Sequence, residues 1–463
     1  MTDTVAKARA ALDSGRASSR ALVDAALDRI ADPAGEGART FTRVYPAAAR
    51  AAADAFDGLH RAGVAAVSPL AGLPVSVKDL FDVAGETTTA GAAVRAEAHP
   101  AARDARIVAR LRRAGAAIVG KTTMTEFAFH GLGLNPHHGT PRNAYGRIGQ
   151  GAAGEGLIPG GSSSGAAVSV TDGMAVVAVG TDTGGSVRVP AAMNGLVGFK
   201  PTARRVPQEG CFPLSTQLDS IGPLGRTVAC CVALDRVLAG HDPEDGEPAA
   251  LPAATLSLFV PTNYLFDEVA PDVARAFDRA LARLRDAGVR VVEGPLPSIE
   301  IMRELVGYGG FSSAESWAKL KHHVLEESHR MDPLVVARVR RGETITAADW
   351  IAMTEGRRAF IRETWAACAG FTAIACPTSP VTAPRIADME ADLDLRGRQN
   401  MLILRNTMVG NWLDACAVTI PCHAPGDAPV GFMMTAPGGR DDHLLGAALT
   451  VESLIAAQAG STR

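Results

Sequence analysis

The chain has 463 residues, of which 47% are hydrophobic and 21% charged, with a formal charge of −3. This is the balance of a soluble globular protein large enough to bury a sizeable core, and it excludes a disordered or collagen-like chain. It also offers no basic face for nucleic acid, and no apolar run approaches the roughly 18 residues a membrane helix needs.

Length divided by about 150 suggests about three domains, although large α/β enzymes run longer as one unit. The N-terminus, MTDTVAKARAALDSGRASS, has no apolar core of a signal peptide. Residues 1–65 read as a helical segment packing on the core, with Ser19 capping ALVDAALDRI and an Ala-rich helix in YPAAARAAADAFDGLHRAG. From Gly72 short apolar runs alternate with Gly-rich turns and helices. LPVSV, ARIVARLRRAG and AAIVG read strand, helix, strand, and VSVTDGMAVVAVGTDTGGS continues the alternation. Such order argues for an α/β sheet covered by helices on both faces.

Residues 243–252 (PEDGEPAALP) read as a loop. LSLFVP then reads as a strand, PDVARAFDRALARLRDAG as an amphipathic helix and VRVV as a strand. A mostly helical insertion or lid is expected over about 298–400, with TAADWIAMTEGRRAFIRETWAACA as its long helix. FTAIACPTSP and DACAVTIPC return to strand, and DDHLLGAALTVESLIAA closes the chain as a helix. The late return to strand predicts one interleaved domain, with a core at 66–240 and the remainder at 241–463. The seven cysteines are odd in number and lack CxxC spacing, which argues against a disulfide framework or a zinc ribbon and fits a reducing cytoplasm.

Two segments carry chemistry: PGGSSSGAAVSV at 159–170 and GTDTGGSVRVPAAMNG at 180–195. Gly–Ser runs are usually flexible linkers. Here they are embedded in apolar, periodic sequence, where glycine lets backbone turn sharply near a ligand. A serine hydroxyl attacks only when a base takes its proton, and acyl transfer needs N–H donors aimed at the developing oxyanion. Thr183, Gly184, Gly185 and Ser186 supply consecutive N–H groups ahead of a short helix start. Ser186 is therefore the candidate nucleophile. GxSxG is absent. His130, His137 and His138 lie upstream, but Lys78, just after an apolar strand, can be desolvated towards neutrality and act as base.

These residues resemble the amidase signature family of serine hydrolases. The match runs through GGSSSG and GTDTGGSVRVPA, and extends from about Gly72 to Gly225 through GLPVSVKD, AGAAIVGKTTMTEFAF, GLVGFKPT and DSIGPLGRT. It implies a single α/β/α domain with a large mixed sheet, and a Ser–cis-Ser–Lys triad. Ser186 matches the nucleophile, Ser162 the serine after a cis peptide, and Lys78 the base. Thr183, Gly184 and Gly185 match the oxyanion-hole loop. Ala128, Phe129, His130, Gly131 and Thr181 are placed along the acyl pocket, and Asp182 with Arg188 as a structural brace. Thr171 departs from the small residue usual there, and a packing adjustment is expected.

The resemblance implies an amidohydrolase that cleaves a C–N bond in a small amide, urea-type or carbamate substrate through an acyl-enzyme. It implies no cofactor and no metal, and makes a homodimer a common form. The rival reading is the glutaminase component of a tRNA-dependent amidotransferase, which feeds ammonia to a partner. The run from Gly115 to Thr122 fits GxxxxGK[ST], but its strand-like AAIV fills the place of the phosphate loop, so nucleotide binding is not expected. The adjacent His137 and His138 lack zinc-ligand spacing.

Overall fold

The computed structural model describes residues 4–147, 156–242, 245–307 and 309–456. Residues 1–3 of the expected first helical segment, 243 and 244 of the expected loop, and Ala457 of the closing helix lie outside them.

The described residues form one eleven-stranded mixed sheet. In chain order the strands are β1 (Phe41–Val44), β2 (Pro74–Lys78), β3 (Ala117–Thr122), β4 (Val177–Asp182), β5 (Val197–Lys200), β6 (Ser220–Gly225), β7 (Ser257–Pro261), β8 (Arg290–Gly294), β9 (Ala373–Pro377), β10 (Cys416–Pro421) and β11 (Gly431–Ala436). Across the sheet they lie β1-β3-β2-β4-β6-β5-β10-β11-β9-β7-β8. β3, β2 and β4 run parallel, with Val75 facing Ile118 on one side and Val177 on the other. β4, β6, β5, β10, β11 and β9 pair antiparallel in succession, and β7 returns to parallel between β9 and β8. This is the expected α/β fold.

Helices cover both faces, and β4 shows how. Side chains alternate along a strand. Ala178 points into a cluster with Ala166, Ala167 and Val170 of the helix Ser164–Thr171. Val177 and Val179 point the other way, against Cys230, Ala233 and Leu234 of the helix Val228–Ala239. Both faces are dry, so β2, β3 and β4 read as near-continuous apolar runs. Each buried valine contributes about 2 kcal/mol of hydrophobic stabilisation. The helix Ser164–Thr171 approaches its neighbours closely: a Cβ on Gly165 would stand 2.5 Å from the Thr40 carbonyl oxygen. Thr171 is accommodated at the end of this helix, where its hydroxyl donates to the Val168 carbonyl at 3.1 Å.

Three expectations need correction. Ser18, not Ser19, caps the second helix by accepting the Ala21 N–H at 3.1 Å. Ser19 is its first residue, and its hydroxyl donates to the Gly72 carbonyl. The segment 1–65 is not wholly helical: Phe41–Val44 pairs antiparallel with β3, and the Ala-rich helix starts only at Pro46. The expected helical insertion at 298–400 is interrupted by β9. Before β9 its helices are Ile299–Gly307, Phe311–Glu326, Pro333–Arg340 and Ala347–Ala367, and after it come Ile386–Ala391 and the start of Leu393–Trp412. The buried, apolar AIACP of β9 pairs between β7 and β11. Cys230 and Cys231 are buried and free, as a core helix requires.

Candidate active site

Parallel β2 and β4 end at one edge of the sheet, the usual place for a site in an α/β fold. Lys78 is the last residue of β2, and Thr181 lies near the end of β4. The Lys78 Nζ donates to Ser162 Oγ at 2.7 Å and to Thr181 Oγ1 at 2.8 Å. Lys78 is fully buried. Burial disfavours its charge and lowers its pKa from the ordinary lysine value to about 7, against a partial pull upward from Cys211, Asp219 and Asp182. Ser162 follows a cis peptide bond at Gly161–Ser162. Its carbonyl accepts from Thr125 N–H at 3.1 Å, and Gly161 N–H donates to Gly131 oxygen at 2.7 Å.

Ser186 sits in the turn after β4. The Ser163 N–H donates to the Ser186 carbonyl at 3.3 Å, tying the two serine loops together. Among the described residues the Ser186 hydroxyl makes no hydrogen bond, and Ser186 lines a cavity. The turn is held from beneath by Asp182. Its carboxylate accepts the N–H groups of Gly185 at 2.9 Å and Val187 at 3.2 Å. Arg188 grips it through two nitrogens, at 2.8 and 3.0 Å, and Asn411 Nδ2 donates to it at 2.9 Å. Burial alone would raise the Asp182 pKa, but the Arg188 guanidinium overrides it and holds the carboxyl well below the usual range. Asp182 and Arg188 are thus paired, fully buried and away from the cavity lining.

In the loop expected to form the oxyanion hole, one N–H is already engaged. The Gly185 N–H is spent on Asp182, whereas those of Thr183, Gly184 and Ser186 have no partner among the described residues. Gly185 is demanded by its surroundings. It has φ +135°, and a Cβ there would lie 2.1 Å from Thr407 Oγ1. That Thr407 hydroxyl donates to the Gly184 carbonyl at 2.6 Å. Thr183 is pinned by Asp219 at 2.5 Å.

Ala128, Phe129 and His130 line the cavity, as do Thr183, Gly184 and Ser186. Phe127 and Ala128 turn through positive φ, a conformation non-glycine residues rarely adopt. Gly131 and Thr181 are not in the lining. Gly131 N–H donates to Asn400 Oδ1 at 2.8 Å, and Thr181 holds Lys78. His130 faces inward: its Nδ1 accepts Leu132 N–H at 3.3 Å, and its Nε2 lies 3.6 Å from Asp332. Burial lowers its pKa despite that carboxylate. His137 instead meets Glu126 at 3.1 Å, and Lys121 of the GKT run is buried 2.8 Å from Asp79. A lysine so engaged does not cradle phosphate.

Sequence reasoning missed other lining residues of the cavity: Phe311, Arg338, Arg341, Met408 and Trp412. It also missed Thr407 and Asn411, which reach Gly184 and Asp182 from the helix Leu393–Trp412. Two polar residues four apart on an otherwise apolar stretch were the available signal, since such a pair shares a helix face.

A family model described as Amidase matches residues 21–445. The 2-amino-5-chloromuconic acid deaminase of Comamonas testosteroni is 41% identical over 419 residues, covering 88% of this chain and 87% of that protein. The A-type component of the glutamyl-tRNA(Gln) amidotransferase of Chromohalobacter salexigens is 30% identical over 482 residues, covering 96% and 95%. A crystal structure of an amidase superposes with TM-score 0.84 at 31% identity, covering 97% of this chain and 99% of its own.

Proposed function

The chain belongs to the amidase family, and on that premise we propose that it cleaves a small-molecule amide through an acyl-enzyme on Ser186. It is a hydrolase of carbon–nitrogen bonds other than peptide bonds. The observation that carries the mechanism is Lys78: a buried amine whose pKa falls to about 7, within 2.7 Å of Ser162. At neutral pH a substantial fraction of such an amine is uncharged, and its lone pair then accepts the Ser162 proton.

Ser186 Oγ attacks the substrate carbonyl and passes its proton to Ser162 Oγ as Ser162 passes its own to Lys78 Nζ. The tetrahedral oxyanion is met by the free N–H groups of the Thr183–Gly184–Ser186 turn, where preorganised donors act in a dry site. Lys78 returns the proton through Ser162 to the leaving nitrogen, the C–N bond breaks, and the amine or ammonia departs. Water then attacks the ester by the same relay and releases the carboxylate. Asp182 and Arg188 keep the turn in place without touching the reacting atoms.

The related deaminase is named for removing nitrogen from an amino acid derivative, which supports ammonia as the leaving group. The likeness to glutamyl-tRNA(Gln) amidotransferases supports a second reading, in which the ammonia goes to a partner protein. Among the described residues no helix is long and apolar enough to cross a membrane, and reduced cysteines support a cytoplasmic setting. The test is intact-mass analysis after a fluorophosphonate, with peptide mapping. A single adduct on Ser186 is expected, and an adduct elsewhere, or none beside a labelled control hydrolase, would count against the assignment. Stoichiometric ammonia release by the isolated chain separates the first reading from the second.

A further inference from the structure

The cavity that holds Ser186 is lined by two arginines and, among the described residues, by no aspartate or glutamate. Arg338 lies at the end of the helix Pro333–Arg340, and Arg341 starts the next turn. Their neighbours have acidic partners: Arg330 pairs with Glu327, Arg340 with Glu343 at 3.8 Å, and Arg396 with Asp332. Arg338 and Arg341 have none among the described residues. Arg338 is held by soft contacts instead. Its guanidinium lies 5.2 Å from the centre of the Phe129 ring, and its Nη1 meets Met401 Sδ at 3.4 Å. Its Nε is buried with no acceptor.

A buried charged donor without an acceptor is unfavourable unless something supplies one. Burial, with the Arg341 charge beside it, already lowers Arg338 to about 10. A planar guanidinium with open N–H groups fits a carboxylate through two parallel hydrogen bonds. Much of the remaining lining is apolar, with residues such as Leu404, Met408 and Trp412.

We propose that this site takes the monoamide of a short dicarboxylic acid, with Arg338, assisted by Arg341, binding the free carboxylate while Ser186 meets the amide. The inference rests on the amidase reading above and names its substrate class. Arg338 and Ser186 line the same cavity, so one short ligand can meet both.

The test compares ammonia release from succinamate, fumaramate and adipamate with that from the matching diamides. The intact chain is expected to prefer the acids. In Arg338→Met, which keeps the apolar stem contacts, the ratio of kcat/KM for acid over diamide should fall about 10- to 100-fold, the range for a charge-assisted hydrogen bond. Arg338→Lys should recover part of it. Equal use of acids and diamides, or a ratio unmoved by Arg338→Met, overturns the proposal while leaving amide hydrolysis standing. Calorimetric titration with fumarate and adipate reads the carboxylate site without turnover. Binding that weakens in Arg338→Met supports it even if no amide is cleaved and Ser186 takes no adduct, which would sink the chemistry alone. No binding to the wild-type chain overturns it.

Discussion

Replacing Lys78 by methionine should abolish turnover and yet favour folding, most of all at low pH. Lys78 falls from an ordinary 10.5 in the unfolded chain to about 7 when buried. Between those values the unfolded state binds more protons than the folded one, so stability rises with pH across that window. Relative to a side chain that never ionises, holding Lys78 in the fold costs about 5 kcal/mol at pH 6 and about 2 kcal/mol at pH 9, at 1.36 kcal/mol per unit. Methionine removes this cost. It also leaves the Ser162 and Thr181 hydroxyls without their amine, a loss of about 1 kcal/mol each that does not depend on pH. The stability advantage of the variant over wild type should therefore shrink by about 2–3 kcal/mol from pH 6 to pH 9. Urea denaturation of both proteins at the two pH values measures it. A difference that stays constant would refute the depressed pKa and with it the neutral-amine relay. In the wild-type enzyme kcat/KM should climb tenfold per pH unit below about 7 and level off above it.

Ser186→Ala should lose fluorophosphonate labelling and turnover with the fold intact; near-normal amide hydrolysis in that variant would displace the nucleophile. Gly185→Ala places a Cβ against Thr407 at positive φ, so acylation should slow by about 100-fold or more while far-UV circular dichroism is unchanged. Asp182→Asn leaves the Arg188 guanidinium buried without its counter-charge and should lower unfolding free energy by about 3–5 kcal/mol. A loss under about 1 kcal/mol in urea titration would mean the brace is dispensable.

The parts legible in the sequence were those set by local pattern. β2, β3 and β4 announce themselves because strands dry on both faces need continuous apolar residues. The Gly–Ser turns were legible because a backbone that must crowd a partner excludes every side chain, as Thr407 shows at Gly185. β1 was hidden: FTRV is too short to register beside Ala-rich helices, and only its pairing with β3 makes it a strand. The role of Thr181 was misplaced for a similar reason. Being near the pocket and facing it are different, and alternation on β4 turns its hydroxyl to Lys78. The Gly185 N–H was assigned to the oxyanion because nothing in the string TDTGGS shows the Asp182 carboxylate folding back to claim it. Nothing local to Arg338 and Arg341 marks them as cavity-lining, because which acids stand near them is decided by elements distant in sequence.

The proposed reacting groups belong to residues 78–186, whereas Phe311, Arg338 and Arg341 line the same cavity from helices far later in the chain. The later helices touch residues such as Glu126, Phe129 and His130, but among the described residues no side chain of 299–367 hydrogen-bonds to Lys78, Ser162 or Ser186, so substitutions there should leave the proposed proton path in place. Libraries confined to residues 299–367 should therefore yield enzymes of new taste whose serine remains reactive, and recombination between relatives in this stretch becomes a route to new substrates.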